Sequence, residues 1–212
     1  MNTTVIKSNK QRMINNLPHI CDKELDRDDF LCQKKLYKYN KMPPQKLYGK
    51  KGKTLIKNIL GKTGEKIVIK PPFRCSYGYQ IEVGENFFAN YGLTILDSGK
   101  VTIGNNVFIA PNVSIYTNTH PIHYKARNEG WDIGIDIRIG NNVWIGGNTI
   151  ILPGVSIGDG CVIGAGSVVT KNLPPEVIAV GNPCKIVRKI TEKDSLYYFK
   201  DLMFGTAHQI IR

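Results

Sequence analysis

No stretch of this 212-residue chain comes near the roughly eighteen consecutive apolar residues that a membrane-spanning helix needs. The opening run MNTTVIKSNKQRMINN is polar and has no apolar h-region, so no secretory leader is expected. Cysteine is sparse: Cys21, Cys32, Cys75, Cys161 and Cys184 are odd in number, scattered, and never spaced C-x-x-C. That distribution argues against a disulfide framework or a zinc site and for reduced thiols in a cytoplasm. No metal is expected. Cys75 and Cys161 fall where small inward-facing residues are wanted and read as packing. Acidic residues are scarce too, 17 against 29 basic, which leaves a net charge of +12. The basic residues gather before residue 75 and after Lys171 without the aromatic interleaving of a single-strand binder. The charge therefore points to a polyanionic small molecule and a solvated basic surface rather than nucleic acid.

The informative stretch runs from Ile139 to Leu173. Ile139, Ile145, Ile151, Ile157, Ile163 and Val169 recur at every sixth residue, and Gly follows four of these six. A second set, Val143, Thr149, Val155, Cys161, Ser167 and Leu173, lies four positions after each aliphatic. A period of six fits neither a helix at 3.6 nor a strand at 2. It fits a solenoid of polygonal cross-section whose six-residue sides each comprise a short strand and a corner. The aliphatic side chain points inward, the small one packs beside it, and Gly or Asn supplies the corner, including positive φ.

The rest of the chain is arranged around this coil. Residues 1–62 have helical texture: Ile14, Leu17, Leu25, Leu31, Leu36 and Tyr37 are helically spaced, with a break near Pro18 and Asp22 placed to cap the second helix. Met42-Pro43-Pro44 ends that helix, and Leu47 to Leu60 reads as another, closed by Gly61. Some cap is physically required, because the end of a β-coil exposes unpaired backbone. Irregular coil starts at Ile67, Ile69, Cys75, Ile81 and Val83, with Pro71-Pro72 as a corner, and continues through Ile95, Ile103, Ile109 and Ile115. The step from Ile95 to Ile103 is eight, so two residues bulge near Ser98-Gly99. The period vanishes over residues 117–138, a polar, aromatic insertion of the kind that carries function. The coil domain spans 63–190, and residues 191–212 form a tail whose end reads as a short strand or helix packing on a neighbour.

The run IGNNVWIGGNTIILPGVSIGDGCVIGAGSVVTKNLPPEVIAVGNPCKIVRKI, with the N-terminal helical block, resembles the hexapeptide-repeat acyltransferases, and within them the maltose and galactoside O-acetyltransferases. The resemblance implies a left-handed parallel β-helix with an N-terminal helical cap, assembled as a homotrimer with active sites between subunits. It also implies acetyl transfer from acetyl-CoA to a hydroxyl of a maltose-, glucose- or galactoside-like sugar. The same fold acetylating an antibiotic, an amino acid or a polysaccharide is the alternative.

His120, in Asn118-Thr119-His120-Pro121 at the root of the insertion, is a residue type suited to taking a proton from a hydroxyl. In the family the histidine matching this T-x-x-His-Pro pattern is the general base. His123 ranks second, and His19 and His208 are given no role. The resemblance makes Asn90 a partner of the acceptor and of the base, and lines the sugar pocket with Ser76, Tyr77, Asp97 and Asp132. Trp144 faces outward from the coil, where an exposed indole asks for something to stack on it; it reads as an active-site wall. On the donor side the resemblance points to Gly147 and Ala165, whose small side chains leave amides open beside the pantetheine. It also points to Thr170, and to Lys171, Lys185 and Arg188 for the phosphates. Four places depart from the family pattern at the acceptor pocket: Phe88 for Tyr, Ser98 for Asp, Trp131-Asp132 for Glu-Met, and Ile20 where an Asp is expected, with Asp22 close by.

Overall fold

In the computed structural model, which describes residues 8–199, 202–204 and 210–211, the chain winds into a parallel β-helix of triangular cross-section. The first face stacks Ile67–Ile69, Phe87–Ala89, Phe108–Ile109, Trp144–Ile145, Val162–Ile163 and Val177–Val180. Face two carries Arg74–Cys75, Thr94–Leu96, Ser114–Tyr116, Ile150–Ile151 and Val168–Val169. Face three carries Ile81–Val83, Val101–Ile103, Ile137–Ile139 and Ser156–Ile157. The chain visits the faces in that order on each turn.

Both residue sets read from the period lie inside. Ile145, Ile151, Val169, Thr149, Cys161 and Ser167 are completely enclosed, and Leu173, the most accessible of the twelve, is 7% exposed. Two of the polar members meet their hydrogen-bonding needs within the coil: Thr149 Oγ1 donates to Gly146 O and Ser167 Oγ to Gly164 O. Such bonding is what makes a buried hydroxyl tolerable.

At the corner between faces three and one, Asn86, Asn106 and Asn142 all have positive φ and stack as a ladder. Asn86 Nδ2 donates to Asn106 Oδ1 and Asn106 Nδ2 to Asn142 Oδ1, at sequence separations of 20 and 36. One position earlier a second ladder has each backbone N–H donating to the side-chain oxygen one turn on, Glu85 to Asn105, Asn105 to Asn141 and Asn141 to Asp159. The last step spans 18 residues and the one before it 36, so the insertion leaves the coil and returns without changing its phase. The exit and return are a close crossing. Gly99, the expected bulge, lies against Gly134, so a Cβ on Gly134 would run into the Gly99 and Ser98 backbone.

Four helices precede the coil, and the last three share a core with its first turn. α1 is Asn9–Ile14 and α2 is Lys23–Asn40, capped by Asp22, whose Oδ1 accepts from the Glu24 and Leu25 amides. The buried stripe of α2 is Leu25, Cys32, Leu36 and Tyr39; Leu31 and Tyr37 of the expected stripe, and Ile14 before it, are exposed. The helix expected over Leu47–Leu60 is divided: α3 is Pro44–Leu47 and α4 is Lys50–Lys57. Pro44 begins α3, as suits a residue with no N–H to satisfy, and Gly52 packs directly on the Leu47 backbone. Cys32, Leu36, Tyr39, Leu47, Ile56, Ile59 and Leu60 belong to one hydrophobic core with the coil. Cys32 and Cys75 meet across that boundary with sulfurs 3.6 Å apart.

At the other end, Lys185–Lys189 turns back antiparallel on Val177–Val180 and closes face one. Tyr197–Phe199, Leu202–Phe204 and Ile210–Ile211 form a small separate antiparallel sheet. Among the described residues no helix is long and apolar enough to cross a membrane.

Candidate active site

Two corners of the coil carry most of the candidate residues. At the corner between faces two and three, Asp97 is wholly buried and gathers the turn before it. Its Oδ1 accepts from the Ser76 and Tyr77 amides at 2.9 Å each, and its Oδ2 from the Gly78 amide at 2.6 Å. Burial pushes its carboxyl up to about 6, against the downward pull of those amides. Asp97 is thus the internal support of the Ser76–Gly78 turn. Ser76 and Tyr77 are half-buried, and burial raises the Tyr77 phenol.

The insertion leaves this same corner. Asn118–Thr119 pairs antiparallel with Trp131–Gly134 as it departs and returns, and α5, Tyr124–Asn128, lies between them. His120 sits at the root with its side chain 57% exposed. Its Nδ1 lies 3.1 Å from Trp131 O, so Nδ1 carries the proton and donates to the carbonyl, leaving Nε2 as the basic nitrogen. Asp132 Oδ1 is 3.8 Å from the same Nδ1. His123 instead caps α5, accepting from Lys125 N, and stacks on Tyr124.

His19, read from sequence as incidental, belongs here. It is 2% exposed, its Nδ1 is 3.2 Å from Leu17 O, and its Nε2 is 4.0 Å from Asp132 Oδ2. His19–Ile20 forms a strand edge that pairs antiparallel with the insertion, His19 opposite Asp132 and Ile20 opposite Trp131. Nothing in the local sequence signals that pairing, which joins segments more than a hundred residues apart. Asn118, which has no assigned role in the motif around His120, also belongs here: its Nδ2 donates to Ser98 Oγ at 2.6 Å and to Asp132 Oδ2 at 2.7 Å. Three of the four departures from the family pattern, Ile20, Ser98 and Trp131-Asp132, therefore meet at one place. Asp22 serves as the α2 cap, and the Asn9 side-chain amide with the Leu25 and Glu24 N–H groups holds its carboxyl low.

The corner between faces one and two carries the other group. Asn90 N donates to Ile109 O, Ala110 N to Ile145 O and Gly146 N to Ile163 O, which stacks Asn90, Ala110, Gly146 and Gly164 up one edge. Asn90 Oδ1 accepts from Tyr91 N. Gly147 and Ala165 lie beside this edge, and Gly147 O accepts from Gly166 N. A Cβ on Gly146 would strike the Ala165 backbone, so these turns pack as closely as backbone allows. Trp144 stands on face one next to Gly147, 56% exposed and in register with Phe108 and Phe88. Phe88 and Phe108 have ring centroids 6.2 Å apart, and Lys70 Nζ lies over the Phe88 ring.

The single chain does not bring the two groups together. Thr170 and Lys171, both exposed, follow face two and sit at the upper end of the His120 corner. Lys185 and Arg188 are on the closing strand of face one. Arg188 is already engaged: both of its terminal nitrogens bond the Asp194 carboxylate, which it holds well below the usual range. His208 lies outside the described residues. Among the described residues no group of three His, Cys, Asp or Glu side chains is placed to hold a metal ion.

Three-sided turns built from six-residue repeats, with a histidine loop at one corner and bare amides at another, define a hexapeptide-repeat transferase. The family model for bacterial transferase hexapeptide (six repeats) matches residues 136–171, and that for the maltose acetyltransferase hexapeptide capping motif matches 12–64. The galactoside O-acetyltransferase of Escherichia coli K12 is 48% identical over 166 residues, covering 78% of this chain and 81% of that protein. A solved galactoside acetyltransferase in complex with coenzyme A superposes with a TM-score of 0.90 at 41% identity, over 94% of this chain and all of that one. A maltose O-acetyltransferase from Clostridium difficile 630 gives 0.85 at 45%, over 88% of this chain and all of that one. The chain belongs to the maltose and galactoside O-acetyltransferase family, and its coil is the left-handed β-helix that the resemblance implies.

Proposed function

We propose that this protein transfers acetyl from acetyl-CoA to a hydroxyl of a sugar acceptor, directly and with His120 as general base. The observation that carries the proposal is the His120 ring, tied at Nδ1 by Trp131 O and exposed. Nε2 takes the proton as the hydroxyl oxygen attacks the thioester carbonyl carbon. The Gly147 or Ala165 amide, neither of which makes a hydrogen bond among the described residues, meets the oxyanion. The C–S bond then breaks, and the thiolate takes back the proton from His120. Lys171 and Lys185 would hold the coenzyme A phosphates, and the outward Phe88, Phe108 and Trp144 ladder would give the sugar ring an apolar wall.

The division of the site supports a homotrimer. A three-fold ring that sets the Asn90–Gly147–Ala165 corner of one subunit against the His120 corner of the next completes three equal sites. Ile122, at the tip of the insertion and 97% exposed, would then be covered by the neighbour. The test is thiol release from acetyl-CoA with maltose, glucose and galactosides, for wild type and His120→Ala. Turnover with a sugar that falls at least about a hundredfold in the variant is expected for loss of a general base. Turnover that survives in the variant refutes the role of His120, and release with no sugar refutes the acceptor.

A further inference from the structure

We propose that Asp132 is not an acceptor ligand but a positioning residue, which fixes the tautomer and orientation of His120 from a polar cluster built by three separated segments. This rests on the reading of His120 as the base. The Asp132 side chain is 18% exposed, and each of its oxygens already accepts a hydrogen bond from the protein. Oδ1 accepts from its own Ile133 N at 2.8 Å, and Oδ2 from Asn118 Nδ2 at 2.7 Å. Asn118 is held in turn by Ser98 Oγ at 2.6 Å. Behind the carboxylate stands buried His19, brought by pairing of the His19–Ile20 edge with Trp131–Asp132. In front of it is His120 Nδ1, at 3.8 Å from Oδ1.

At that distance the contact is electrostatic rather than a hydrogen bond. The hydrogen bond goes to Trp131 O, the carbonyl next in the chain to Asp132. Carbonyl and carboxylate thus present negative potential to the same ring nitrogen. Both favour the proton on Nδ1 and keep Nε2 available, and the carboxylate opposes the positive charge that the ring gains when it accepts the hydroxyl proton. Such a group changes turnover more than binding, because the charge it stabilises exists only once the proton has moved. An acceptor ligand would change KM for the acceptor.

The experiment uses the full chain with 15N-labelled histidine and the variants Asp132→Asn, His120→Ala and the double variant. Four histidines are present, and the His120 ring signals are those lost in His120→Ala. In wild type the His120 pair should show a protonated Nδ1 and a bare Nε2. In Asp132→Asn it should move toward a mixture of tautomers, a readout that needs no acceptor. With acetyl-CoA and maltose, kcat should fall about ten- to a hundredfold in Asp132→Asn, the span of an orienting outer partner. KM for maltose should stay within about twofold, and Asp132→Asn should add nothing in the His120→Ala background. Asp132→Glu, which keeps the charge, should recover part of the loss. Unaltered His120 signals in a folded Asp132→Asn protein, or losses that multiply in the double variant, overturn the proposal. Wild-type turnover in His120→Ala would instead refute the base assignment on which it rests.

Discussion

Gly134→Ala probes how rigidly the return strand of the insertion must be held. A methyl at 134 would strike the Gly99 amide nitrogen and the Ser98 carbonyl carbon, with Gly99 Cα at 2.7 Å. Carbon atoms in ordinary contact stand about 3.5–4.0 Å apart, so relieving the closest of these contacts requires the two segments to separate by more than about 1 Å. No side chain can swing aside, since every atom struck is backbone. The crossing is tight in both directions, because a Cβ on Gly99 would lie 2.8 Å from Ile135 N. Trp131–Gly134 carries both Trp131 O and Asp132, so the displacement reaches His120. A misplacement of about 1 Å near a catalytic group costs on the order of 10²-fold in rate, and overpacking at a buried site costs about 1–3 kcal/mol. Steady-state kinetics should therefore show kcat down about a hundredfold, with thermal melting showing a folded and modestly weakened protein. Gly160→Ala is the control. It has φ +67°, and a Cβ there meets only Glu176, at ordinary contact distances of 3.5 Å to Cγ and 3.9 Å to Cα, so it should cost about 1–2 kcal/mol in backbone strain and leave kcat alone. Wild-type kcat in a folded Gly134→Ala enzyme would refute the reasoning.

Two other perturbations test the scaffold. Burial holds the Asp97 proton up to about 6, whereas an unfolded aspartate loses it near 3.8, so between those values the native state binds more protons than the unfolded one. Stability should fall as pH rises through that window, at a slope of at most about 1.4 kcal/mol per unit, and level off above it. Urea unfolding of wild type against Asp97→Asn checks this; the stability difference between them should change across the window and be constant above it. Asn106→Ala loses both ladder hydrogen bonds at a position with φ 55°, and should cost about 1–2 kcal/mol in the same assay. Asn106→Gly, which is free of the backbone strain, should cost less; equal losses would mean that the strain contributes nothing.

The coil was legible because its repeat is a property of local sequence. Each of Ile139, Ile145, Ile151, Ile157, Ile163 and Val169 announces its own side of the coil, and all six are buried. The helical cap was legible in outline, but its faces were not. Leu31 and Tyr37 looked as apolar as Leu36, and only the position of the coil beneath decides that Cys32 and Tyr39 turn inward. His120 could be found because it lies in a contiguous motif. Its environment could not, because His19, Ser98, Asn118 and Asp132 come from separate segments, and one antiparallel register brings His19 and Asp132 together. Asp97 was placed in the sugar pocket by the resemblance alone; the structure gives its carboxylate three backbone amides to accept from.

A stack of parallel strands with an open end is a growing fibril, since each turn presents the donors and acceptors that the next would fill. Here α2 and α4 cover the first turn, and Lys185–Lys189 runs backwards across the last strand of face one. The reversed strand presents the wrong polarity to an incoming parallel turn and carries lysine at both ends. Head-to-tail polymerisation is thereby closed off on that face, and the chain is left free to associate side by side through its corners.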